Sequence, residues 1–455
     1  MKRRRRFRNH QSMLKRLLKK YVSSSYKQKI YSNLFWSLNG KIVNLLGSLF
    51  VGILVTRYLG PEQFGLMNYV ISYVMLFQIL ASFGLDSIEI REEARSKQEY
   101  NKYIGTAFGL KLSLGIVVLI LCVATSLLLE ADRFTTSMVA LYAISMIANS
   151  FNVIRNYFMA IVDNEYVVKS EIARVIVGAL IKVALVISGA GLVWFIAATT
   201  FDTVLVAGGY VVSYKKKAGR LTAWSFDRKT AAFLLRESFP LMFTSAAVII
   251  YQRIDQVMIG QMLDNNAVGM FSVAVRIVDI IIYIPFILSD TLTPVLVSAR
   301  EKSDDEYRQK AQRFINISFW STFLVALVVS LLSKWILLLL FGRQYVGAGI
   351  VLAILAFKSV TVALSSSAGK MLIIEGIQKW AILRDITGCI VCVSLNYFLL
   401  PRYGIIAAAF IAIISNFTAG YLSDAFIPAY RHIFVRQTRV FCGGWKDLVY
   451  LLKSK

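Results

Sequence analysis

Apolar residues run through this chain in blocks of about twenty or more, and polar residues collect in the gaps between them. A helix rises about 1.5 Å per residue, so a block of roughly 20 residues crosses the ~30 Å hydrocarbon core of a bilayer. The pattern predicts twelve such helices, over 33–57, 66–90, 104–129, 137–162, 167–188, 191–213, 238–262, 267–299, 314–337, 347–373, 380–400 and 404–427. The fold class is therefore an all-α polytopic membrane protein. Gaps on the side opposite the N-terminus are about ten residues or fewer, which leaves no room there for a folded domain or a catalytic loop.

The pattern also repeats. LGPEQFGLMNYV (59–70) follows the first span and LDNNAVGMFSVA (263–274) follows the seventh, so that Leu59 aligns with Leu263 and Gly65 with Gly269. Near the ends of the two halves VAGGY (206–210) aligns with FTAGY (417–421). Two pseudo-symmetric six-helix lobes are expected, over 33–213 and 238–427, joined by a basic loop at 214–237 and flanked by tails at 1–32 and 428–455. An even number of spans separates the copies, so both lobes enter from the same side. That makes a parallel repeat with its axis along the membrane normal, an arrangement common among alternating-access transporters.

Composition agrees with this picture, and charge orients it. Hydrophobic residues make up 57% of the 455, against 45–50% in a soluble domain. The net charge of +25 would suggest nucleic acid in a soluble protein. Here thirty-five of the 51 Lys and Arg fall in the tails and gaps on the N-terminal side, and four in the opposite loops. By the positive-inside rule both termini are cytoplasmic, and the basic excess faces anionic membrane lipids, not nucleic acid. QSMLKRLLKKYV in the N-terminal tail reads as a short basic amphipathic helix on the inner leaflet, or else as a disordered basic tail. RRRRF matches a twin-arginine signal only superficially, because the first apolar run starts some thirty residues later and is too long for a cleaved segment. The Cys389 and Cys392 pair lies mid-helix with no histidine near it and reads as packing. Two histidines, both in the tails, argue against a histidine metal or proton-relay site.

The remaining twelve basic residues lie within the spans. A cation at the bilayer centre costs roughly 2.5–3.5 kcal/mol on insertion scales, so it should face a partner or a water-filled cavity. Lys41, Arg155, Lys182, Arg253, Arg276 and Lys358 are too deep to reach the surface easily. Counting along the helices puts Asp255 ~12 Å and Arg253 ~15 Å below the outer end of the seventh, and Arg276 ~14 Å and Asp279 ~18 Å down the eighth. Two cross-hairpin pairs come within reach, Asp255 with Arg276 and Arg253 with Asp279. They serve either as buried ion pairs that fix the hairpin or as part of an anion site. Lys41 has no acid in its span and Lys358 has none until Glu375, so the pattern implies a cationic cavity, with arginine suited to phosphate.

Several ordered stretches resemble one known family. RYLGPEQFGLMNYV (57–70), REEARSKQEYNKYIGTAFGLKL (91–112), YQRIDQVMIGQML (251–263), VGMFSVAVRIVDIIIYIPFILSDTLTPVL (268–296) and IIEGIQKWAILRDITGCIVCVSLNYFLLPRYGIIAAAFIAIIS (373–415) are similar to Wzx-type polysaccharide repeat-unit flippases. These handle O-antigen, capsule or exopolysaccharide units and belong to the MOP superfamily, with MATE drug exporters and lipid II flippases. The similarity covers about residues 33–427. It implies a V-shaped two-lobe bundle in a bacterial cytoplasmic membrane that moves undecaprenyl-pyrophosphate-linked oligosaccharide from the inner to the outer leaflet by alternating access. Arg276 matches the lumen-facing arginine that lipid II flippases carry in the corresponding helix. Those flippases usually have fourteen helices, however, and many MATE exporters carry an acid in the first helix, where this chain has Lys41.

The expected activity is transport and not catalysis. Substrate-binding residues are Lys41, Arg155, Arg253, Arg276 and Lys358, with Asp255 and Asp279 as pairing or gating partners. No metal or cofactor is expected. A coupling ion, H+ or Na+, stays open with no assigned site, Asp86 and Glu89 being read first as interfacial acids. The polysaccharide polymerase and chain-length machinery are candidate partners. A cation-coupled drug exporter of the MATE type and a membrane glycosyltransferase or polymerase using the same lipid-linked sugars remain the alternatives.

Overall fold

Apolar runs become helices here because lipid offers no partner for a free backbone N–H or C=O. A computed structural model describes residues 24–95, 99–129 and 132–448, though not every side chain before Gly47. Its elements are α1 Ser24–Ser82, α2 Leu85–Arg95, α3 Tyr100–Leu128, α4 Arg133–Ala143, α5 Asn152–Ala160, α6 Glu165–Ile187, α7 Leu192–Lys217, α8 Arg228–Met262, α9 Asn265–Lys302, α10 Asp304–Leu331, α11 Ser333–Phe341, α12 Gly349–Leu355, α13 Lys358–Glu375, α14 Ala381–Phe417 and α15 Arg431–Arg439. The amphipathic stretch expected at 14–21 lies outside the described residues, and so does the side chain of Lys41.

Nine segments among the described residues are long and apolar enough to cross a membrane. Two of them cross twice. α1 reverses at Gly60 (φ 71°, ψ 173°) and α14 at Gly404 (φ 62°, ψ −154°). The reversal in α14 is visible in its own contacts: Arg384 Nε donates to Ala419 O at 3.0 Å, although thirty-five helical residues would span ~50 Å if straight. α6 falls outside the nine because Glu165, Lys169, Glu171, Arg174 and Lys182 dilute its apolar character. It runs antiparallel to α7, tied by Lys182 to Asp202 at one end and by Ser170 to Ser213 at 3.4 Å near the other. The twelve expected crossings are accounted for in this way.

One expected span is cut short and two are distorted. The second ends at Ser82, where Phe83 (φ 50°) and Gly84 (φ 69°) turn the chain before α2. The fourth runs from α4 to α5 through a short helix and a 3-10 turn over 145–151, and the tenth is irregular at Ala356 and Phe357 between α12 and α13, each remaining one continuous span.

The two halves meet chiefly where α1 packs on α8 and α9. At the end of the bundle that carries the Gly60 and Asp264 turns, one hydrophobic core runs through both halves, from Val55, Phe64 and Val70 to Phe271, Tyr345 and Leu352. At the other end the core divides. Ile104, Phe158 and Tyr214 pack in the first half, and Tyr307, Phe314 and Tyr430 in the second. The bundle is joined at one end and forked at the other. At the joined end the repeat-related glycines touch across the pseudo-twofold: a Cβ on Gly65 would lie 1.7 Å from Asn265 O, and one on Gly269 would lie 2.0 Å from Pro61 O. The loop 214–237 straps back under the first half, with Ser225 N donating to Asn101 O at 3.2 Å and Trp224 against Phe108 at 5.2 Å.

Candidate substrate cavity

Arg276 sits where the fork closes. Its Nη1 donates to Thr56 Oγ1 at 3.0 Å, and the guanidinium lies 5.2 Å over the Phe64 ring. Thr56 in turn donates to Gly52 O at 2.6 Å, and the Tyr345 hydroxyl donates to Thr56 O at 3.0 Å. A Cβ on Gly52 would come 2.5 Å from Nη1, so only glycine lets the arginine reach this place. Both arms of α1 thus converge on one cation from α9.

Below Arg276 a cavity of about 430 Å³ separates the halves, lined among others by Asn44, Asn68, Arg174, Arg253, Asp279 and Tyr283. It continues into a chamber of about 190 Å³ in the first half, which shares Arg174 and Arg276 and adds Lys182 and Asp202. On the other side it continues into one of about 500 Å³ in the second half, which shares Arg253, Asp279 and Tyr283 and adds Lys358. Cations therefore outnumber acids along this connected space. Lys182 is held by Asp202, and Arg174 Nη2 donates to Asn44 Oδ1 at 2.7 Å. Among the described residues, the Arg253 guanidinium and the Lys358 ammonium make no hydrogen bond or close ion pair, the buried Asp255 carboxylate attracting Lys358 only from beyond contact distance. Such a space attracts a multiply charged anion and repels a cation.

The structure brings Arg253, Arg276, Lys358 and Asp279 to this cavity. It corrects the pairing expected for Asp255, which is 2% exposed and accepts from Asn396 Nδ2 at 2.7 Å and Cys392 Sγ at 3.4 Å. α8 and α9 diverge below their turn, α8 leaning on α14 and α9 on α1, so Asp255 faces α14 and not Arg276. Arg253 and Asp279 form no salt bridge, although they line the same two chambers. Arg155 lines none of the three chambers; its Nε lies 4.0 Å from Glu171. The sequence reading missed Arg174 and Tyr283 as cavity residues, and Thr56 as the partner of Arg276. Arg174 carried the one available signal, a charge inside a span.

A second polar cluster lies at the forked end of the first half. Lys111 Nζ lies 2.6 Å from Asp86 Oδ1 and 2.7 Å from Glu89 Oε1, and Asn156 donates to both acids. Glu89 is 1% exposed, enclosed by protein and not open to water. Beside it Glu93 is fully buried, and among the described residues neither carboxylate oxygen has a hydrogen-bond partner. α2 lies beyond the break that ends the second crossing. There burial, and then the Glu89 charge, push the Glu93 carboxyl well above the ordinary range, against a smaller opposing effect of Lys111.

Comparison with known proteins adds relatives. Residues 30–300 match the family described as polysaccharide biosynthesis protein, and residues 240–398 match the family MatE. A succinoglycan biosynthesis transport protein, ExoT, from Rhizobium meliloti (strain 1021) is 26% identical over 71% of this chain and 65% of its own length. Among solved structures, a lipid II flippase, MurJ, in an inward closed conformation superposes with a TM-score of 0.69 at 13% identity, covering 92% of this chain and 96% of its own. An inward-facing multidrug resistance MATE transporter of the MOP superfamily superposes at 0.66 and 18%, covering 88% and 96%. At these identities the two structures speak to the fold alone.

Proposed function

We propose, since this chain belongs to the polysaccharide biosynthesis protein family, that it is a flippase for undecaprenyl-pyrophosphate-linked oligosaccharide repeat units in a bacterial cytoplasmic membrane. The observation that carries this reading is the connected cavity, where Arg174, Arg253, Arg276 and Lys358 face one space with too few acids to neutralise them. A pyrophosphate supplies the missing negative charge and suits the planar fork of arginine. With both termini cytoplasmic, the forked end faces the cytoplasm and the joined end the outer leaflet. The cavity is then loaded from inside and closed toward the outside by Arg276, Thr56 and Phe64. Delivery requires the joined end to part while the forked end closes, the alternation expected of two repeats around one site. A cation-coupled drug exporter fits this cavity poorly, because the same unpaired cations repel its cargo.

The test is the lipid-linked saccharide pool of cells lacking the protein, complemented with wild type or Arg276→Ala. The expected result is undecaprenyl-pyrophosphate oligosaccharide that accumulates facing the cytoplasm, clears with wild type and persists with the variant. Equal clearance by both would remove Arg276 from the pathway and leave the flippase. If no lipid-linked saccharide accumulates, the flippase reading falls.

A further inference from the structure

The three connected chambers differ in chemistry. Around Arg276 and Arg174 the walls are charged. The 500 Å³ chamber meets the central space at Arg253, Asp279 and Tyr283 and holds one further charge, Lys358. The rest of its polar and aromatic wall is neutral: Tyr251 and Gln252 from α8, Phe286 from α9, Ser366 from α13 and Asn416 from α14, with Tyr283 at the border. Tyr283 and Phe286 are 43% and 47% exposed, and both line the open chamber. Among the described residues, the hydroxyls of Tyr251 and Tyr283 and the amide of Gln252 make no hydrogen bond. Asn416 donates to Ala412 O at 2.9 Å, which leaves its carbonyl oxygen available.

Neutral donors and acceptors set beside flat aromatic faces suit one class of ligand. A pyranose ring presents hydroxyls at its rim and C–H bonds on its faces, so it takes hydrogen bonds at its edge and stacks on tyrosine or phenylalanine. Small-molecule sites of roughly 300–1,000 Å³ combine apolar walls with a few such polar groups in this way. On α9, Tyr283 lies seven residues, ~10 Å, from Arg276. A group leaving the arginines along that helix reaches the aromatic wall within about the length of two sugars.

We propose that this second-half chamber, centred on Tyr251, Gln252 and Tyr283, is a saccharide subsite that takes the first sugars of the repeat unit while the arginines hold its pyrophosphate. The subsite rests on the flippase reading and deepens it: charge selects the carrier lipid, and this wall selects the glycan.

The test uses purified full-length protein in lipid nanodiscs and two probes. One is bare undecaprenyl pyrophosphate. The other is the same lipid bearing the repeat unit, extracted from cells lacking the protein. Wild type should bind the saccharide-bearing lipid about tenfold more tightly, the scale of one or two net hydrogen bonds. Tyr251→Ala and Gln252→Ala should each bring that ratio toward one with affinity for bare pyrophosphate unchanged, which also shows that the variants are folded. Tyr251→Phe should keep most of the preference, and Arg276→Ala should weaken both lipids. If wild type binds the two lipids equally, or if Tyr251→Ala lowers both affinities by the same factor, the subsite is overturned and the flippase stands. If wild type binds neither lipid, both readings fall together.

Discussion

Single residues show how far a linear sequence reaches. Arg276 was legible, since its depth follows from counting and a mid-span arginine needs a reason to be there. Its true companions were not, because Thr56, Phe64 and Tyr345 lie more than sixty residues away. Asp255 shows the same limit: counting fixes depth along a helix but not the direction in which a side chain leaves it. Counting places Arg155 deep in its span, yet its side chain lies beside Glu171 and lines none of the three chambers. Glu93 carries a prediction of its own. Its carboxyl is protonated in the folded chain at pH values where the unfolded chain has already released the proton. The folded state therefore holds the extra proton, and stability falls as pH rises from the unfolded value to the folded one, by up to ~1.4 kcal/mol per pH unit. Glu93→Gln has no proton to lose. Thermal unfolding across pH 5–8 should show wild type losing stability relative to the variant as pH rises, and parallel curves would refute this account of Glu93.

Elements were legible wherever hydrophobicity decides them. All twelve crossings follow from runs long enough to span a bilayer. The break at Phe83–Gly84 and the irregular turns in 144–151 and at Ala356–Phe357 lie inside apolar sequence, where composition gives no warning. The reversal at Gly60 sits in a loop that the pattern did place, and that at Gly404 falls on the first residue of the twelfth expected span, just past the expected loop. Both glycines hold positive φ with ψ near the extended limit, a region essentially closed to residues with a Cβ. A Cβ on Gly404 would meet nothing within 4 Å, so Gly404→Ala isolates backbone strain from crowding. We expect it to cost about 1–3 kcal/mol and to lower the melting temperature of the purified protein. An unchanged melting temperature would mean that the hairpin of α14 turns without needing this conformation.

Across the whole molecule, the repeat was readable but its meeting point was not. Aligning Gly65 with Gly269 says that the two positions are equivalent; it does not say that they touch. In the structure each presents its bare backbone to the other half. The shared core at that end and the divided cores at the other follow the same two-fold logic, and the substrate space lies where the division begins.

That mutual contact has the form of an isologous dimer interface, in which position i of one copy meets j of the other and j meets i. A surface of that kind does not require its two sides to be covalently joined. The chain cut at Gly219, in the exposed stretch before the strap, should reassemble from co-expressed fragments, with residues 221–227 of the second docking under α3 of the first. A tag on either fragment should then recover both, and Gly65→Leu should separate them. Failure of the unmodified fragments to co-purify would show that the halves are held by their tether. Recovery of both would make this bundle, in assembly terms, a dimer that happens to be written as one polypeptide.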